Sequence, residues 1–114
     1  MKEQDRLVEV DGAIFDRVLL EHSFGFENLD VVGRESFVNH THFEGQDRVS
    51  AALELAESWK VELLRRWPAY TFRLYWHDNE VEDEIIIRFH RVYPGILNWC
   101  DDPLPDLRIT EISA

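Results

Sequence analysis

The chain has 114 residues, 45% of them hydrophobic and 12% aromatic, enough for one domain with a single core and too apolar for a disordered body. Twenty-three acids against twelve Lys and Arg leave a formal net charge of -11, which repels phosphate backbones and anionic lipid. Direct binding to nucleic acid or to a membrane is therefore not expected, and a cationic protein is the natural partner.

The first residues, "MKEQDRLVEV", lack the apolar stretch of a secretory signal. "LVEVDGAIFDRVLL" follows. It reads as a strand hairpin turned at Asp11-Gly12, the strongest short turn signal in the chain. The alternative is a helix capped by Asp11, with Ile14, Phe15, Val18, Leu19 and His22 on one side. The hairpin is preferred. Downstream, "ESFVNHTHF" suggests a strand from about Glu35 to Phe43, although Asn39 and Thr41 interrupt its apolar face. On such a strand His40 and His42 point the same way.

"QDRVSAALELAESWKVELLRRW", residues 46–67, is a long amphipathic helix. Val49, Ala52, Leu53, Ala56, Lys60, Leu63 and Trp67 recur at three- and four-residue steps, widened by Leu55, Trp59 and Leu64. Arg65 and Arg66 suit its C-terminal dipole, Glu62 precedes Arg66 by one helical turn, and Pro68 ends it. Beyond it, Tyr70, Phe72, Leu74 and Trp76 alternate with polar residues, and Ile85, Ile87 and Phe89 do the same. A hairpin with the loop at Asn79–Glu82 would pair Trp76 with Ile85, Leu74 with Ile87, Phe72 with Phe89, and Arg73 with Arg88. "DLRITEI" adds a short last strand. The expected fold is α+β, a single domain over 1–114: an antiparallel sheet of about four to five strands with the 46–67 helix on one face.

Two sets of residues could carry function. If the Glu35–Phe43 strand lies beside the hairpin, His40, His42, His77 and His90 share the sheet face opposite the helix, and three imidazoles with a carboxylate would suit zinc. They lack a helix-spaced His pair or a cysteine pair, so solvent-facing or structural roles are the expectation, with no cofactor. The second set is acidic. "DNEVEDE" packs Asp78, Glu80, Glu82, Asp83 and Glu84 into one hairpin tip. The glycine and spacing of an EF-hand loop are missing. Such a tip is either a solvated turn or a negative prong for a basic groove. Arg73, Tyr75 and Arg88, on the His-bearing face, could extend the contact; the alternative is that the N-terminal segment covers that face. No catalytic residues stand out, and nucleophile elbows and phosphate loops are missing. Cys100, the only cysteine, precedes two acids that disfavour its thiolate, so a packed, inert thiol in a cytoplasmic protein is expected.

The functional expectation is a non-enzymatic, inhibitor- or immunity-like protein that docks on a basic protein surface. The alternatives are a small enzyme or ligand-binding domain using the open sheet face, and a homodimer formed through that face.

Overall fold

A computed structural model describes residues 5–114. Strands β1 (Leu7–Val10) and β2 (Ala13–Asp16) form a separate two-stranded hairpin, followed by a single helical turn, α1 (Arg17–Leu20). Helix α2 (Val31–Val38), strand β3 (His40–Glu44) and helix α3 (Arg48–Arg66) come next. Strands β4 (Phe72–Asn79), β5 (Glu84–Arg91) and β6 (Leu107–Ile112) complete the chain. The main sheet is antiparallel in the order β3-β5-β4-β6.

The N-terminal hairpin is as expected. Asp11 and Gly12 both take positive φ, 50° and 83°, the backbone that a two-residue hairpin turn demands. The expected strand at Glu35–Phe43 is corrected, because its first part is helical. Asp30 caps α2 by accepting from the Gly33 N–H at 2.7 Å, and Val32, Glu35 and Ser36 form its buried face. That spacing is helical, and the apparent alternation around Phe37 came from an exposed helix residue.

The β4–β5 hairpin forms with its pairing moved by two residues. Trp76 lies opposite Ile87, Leu74 opposite Phe89, Tyr75 opposite Arg88 and Arg73 opposite His90. The turn falls at Glu80–Asp83, where a short 3-10 segment (Glu80–Glu82) ends in Asp83 at φ 51°. A two-residue shift preserves the parity of side chains. Phe72, Trp76, Ile85, Ile87 and Phe89 therefore still face the core.

Helix α3 turns a different stripe inward than the strongest periodicity implies. Ala52, Ala56, Trp59 and Leu63 are buried, whereas Leu53 is 55% exposed and Val49 is also exposed. The reason is Trp59. Its indole N–H donates to the buried Asp16 carboxylate at 2.8 Å, and its ring meets Phe89 edge-on at 4.8 Å. A large aromatic with a paired polar atom outweighs one leucine in choosing the inward face. Leu63→Ala should therefore destabilise by about 2–4 kcal/mol, and Leu53→Ala by less than about 1 kcal/mol, in denaturant melts. Equal losses would mean that Leu53 is core.

Candidate functional site

The antiparallel order brings the C-terminal ends of β3 and β4 and the N-terminal ends of β5 and β6 to one end of the sheet. Glu44, Glu84 and Asn79 lie side by side there, and the Asp78 N–H donates to the Asp106 carbonyl. Topology thus joins Glu44, Asp47 and Asp106 to the expected prong of Asp78, Glu80, Glu82, Asp83 and Glu84. Of the prong, Glu80, Glu82 and Asp83 are exposed. Val81 stands among them at 95% exposure, an apolar side chain at the apex of an anionic surface.

Three of the acids at this end have a nitrogen partner. Arg48 reaches Asp83 at 3.7 Å, His42 meets Glu84 at 3.0 Å, and His77 meets Asp106 at 3.2 Å. A shallow cleft of about 430 Å³ runs beside Val81 between Asp78, Pro105, Asp106 and Arg108. Sequence reading found the prong but not Glu44, Asp47 or Asp106, which are distant along the chain. Val81 carried a signal: it is the one apolar residue within "DNEVEDE".

The histidine face is arranged differently. His40, His42, His77 and His90 do share one side of the sheet, but each is held by a separate partner. The His40 ring bonds the Phe37 carbonyl and packs against His42 at 5.3 Å. Burial and the nearby Arg88 and His42 hold His40 below the usual histidine range. The His40–His42 pair ends an aromatic ladder that runs through Phe15, Phe26 and Phe37. Among the described residues, no three His, Cys, Asp or Glu side chains gather as a metal site.

Arg73, Tyr75 and Arg88 do not form an exposed patch. Tyr75 is 1% exposed, and the Trp99–Cys100 segment, not the N-terminal one, covers it. The Tyr75 hydroxyl lies 2.8 Å from His90 Nε2 and 3.1 Å from the Cys100 carbonyl, and Trp99 packs edge-on against its ring. Arg73 donates to the Cys100 carbonyl and to Asp101. Arg88 donates to the Ser36 carbonyl and stacks over Trp99 at 4.1 Å. These side chains fasten a strap across the sheet, so Tyr75 is covered while the acidic turn at the end of the sheet stays exposed.

The chain matches no family model, no curated protein and no solved structure.

His90 is the most sensitive part of this strap. Its Nδ1 lies 2.8 Å from the Arg91 carbonyl, which places the proton there. Nε2 is then an acceptor for the Tyr75 hydroxyl and for the Trp99 N–H at 3.3 Å. Burial, with Arg73 and Arg88 nearby, pushes its pKa below the ordinary 6.5, and Asp101 opposes them only in part. A depressed histidine contributes stability above its unfolded pKa and loses it as pH falls through the folded value. The stability difference between wild type and His90→Gln should be largest above pH 6.5 and shrink as the pH falls through the depressed value. Denaturant melts across this range read the difference, and a constant gap would remove His90 as the titrating group.

Proposed function

We propose that this chain is an acidic binding protein that docks on a basic protein surface through the acidic end of its sheet. The observation that carries the reading is the convergence of Glu44, Glu84, Asp78 and Asp106 around the exposed Glu80–Asp83 turn, with Val81 at its apex. Such a surface steers a cationic partner by long-range attraction, and the single apolar side chain offers a desolvated contact at the centre.

The buried ionisable groups support binding over catalysis. Asp16, Glu35, Glu62 and His90 are each engaged with backbone groups inside the fold. The partner class is a protein with a basic cleft, such as one that itself binds phosphates, which an inhibitor- or immunity-like surface would occupy. A cytoplasmic setting belongs to the same reading and is consistent with the free thiol of Cys100. Among the described residues, no helix is long and apolar enough to cross a membrane.

The test pairs capture from native cells at low salt with association rates for the purified partner. Glu80→Gln, Glu82→Gln and Asp83→Asn together should leave the melting midpoint unchanged or slightly raised, since like charges there repel. Asparagine tolerates the left-handed backbone at position 83. Association at low salt should slow by roughly tenfold and lose much of its salt dependence. An unchanged rate would remove the acidic end from the interface.

A further inference from the structure

Helix α3 lies over β5 and β3, and a groove remains between it and the other half of the sheet. Leu53 and Ala56 of α3 line one side, with Leu74 of β4 and Ile112 of β6 facing them, around a volume of about 240 Å³. This explains the exposure of Leu53: the residue faces apolar neighbours across a gap. Glu57, Lys60, Arg108 and Thr110 also line the groove.

Two observations give the groove a chemistry. The ion pairs of the described residues use Arg6, Arg17, Arg48, Arg65, Arg66 and Arg73, so Lys60 and Arg108 belong to the cations left without one. In an acidic chain, this apolar groove carries two such cations against one acid, Glu57. Second, Trp76 lines the same groove. It is only 8% exposed, its indole N–H meets no acceptor among the described residues, and the Arg108 guanidinium lies 5.3 Å over its ring. A buried donor without an acceptor is a position that an acceptor atom stabilises.

We propose that this groove binds a small amphipathic carboxylate. Its head group sits between Lys60 and Arg108 and accepts the Trp76 N–H, and its tail lies on Leu53, Ala56, Leu74 and Ile112. The volume is that of roughly eight waters in the liquid, which suits a chain of about octanoate length. Glu57 opposes any second negative charge and selects a monoanion. Arg108 also borders the cleft beside Val81, so the groove adjoins the acidic tip through that residue, whereas Lys60, Trp76 and Leu53 line the groove and not the cleft. The Trp76 signal therefore reads this site separately from the docking surface.

Titration of the isotope-labelled protein with octanoate tests it. The Trp76 indole N–H signal should shift saturably, as expected for a donor gaining an acceptor. Lys60→Gln with Arg108→Gln should weaken the apparent affinity by roughly tenfold or more, and octanol should bind correspondingly more weakly than octanoate. Leu53→Glu, at an exposed position, should abolish the shift while the remaining spectrum shows an intact fold. No shift of the Trp76 signal at millimolar octanoate overturns the proposal. So does an equal response to octanol, or an affinity that the double variant leaves unchanged.

Discussion

A two-stranded hairpin outside the main sheet has two bare edges, and this fold closes both with side chains. In a hairpin with a two-residue turn, alternate residues point their amides and carbonyls away from the partner strand. On the β2 edge the Ile14 N–H donates to Glu35 at 2.7 Å, the Asp16 N–H donates to Asn39 at 2.8 Å, and Asn39 returns a bond to the Ile14 carbonyl. On the β1 edge Glu62 accepts from the N–H groups of Arg6 and Leu7, and Arg66 donates to the Leu7 carbonyl. Helices α2 and α3 thus stand where neighbouring strands would be, and their side chains supply the missing ladder bonds.

These acids reach further than the hairpin. Glu35 also accepts from the Arg91 N–H at 2.8 Å and the Tyr93 hydroxyl at 2.6 Å, tying β5 and the segment after it to the hairpin. Burial raises the Glu35 pKa, while its three donors and the nearby Arg91 oppose the rise. Asp16 caps α1 through the amides of Val18 and Leu19 and takes the Trp59 indole with its other oxygen, where Arg6 also pairs. Hydrogen bonds to charged groups contribute about 1.5–3 kcal/mol each, and a buried donor left unpaired costs a similar amount. The inward face of α3 follows from this: Trp59 must reach Asp16, so Leu53 turns outward to the groove. The acids thus include an internal set, Asp16, Glu35 and Glu62, that organises backbone, and an exposed set that converges on one end of the sheet.

Local signals made much of this legible. Asp11-Gly12 announced the first turn, the apolar steps from Ala52 to Leu63 announced α3, and alternation announced β4, β5 and β6. The α+β class follows from those elements and agrees with the structure. The errors share a cause in long-range polar contacts. Glu35 looked like a strand residue because nothing near it in sequence shows that it serves Ile14 and Arg91. Glu62 and Arg66 read as a surface helix pair, and they do meet at 2.8 Å, but both also bind β1. The shift of two residues in the β4–β5 pairing left the core face intact, since parity, not register, decides which side chains are buried. The candidate site was half visible, because the prong is contiguous whereas Glu44 and Asp106 reach it only through strand order.

The central claim is that buried carboxylates act as substitute strands for the hairpin. Native-state hydrogen exchange on Glu35→Ala, with a denaturant melt of the same variant, measures it most directly. The Ile14 and Arg91 amides should lose protection ahead of the other core amides, and stability should fall by about 3 kcal/mol or more as three donors lose their acceptor. Protection at Ile14 equal to wild type, with stability changed by less than about 0.5 kcal/mol, would contradict it.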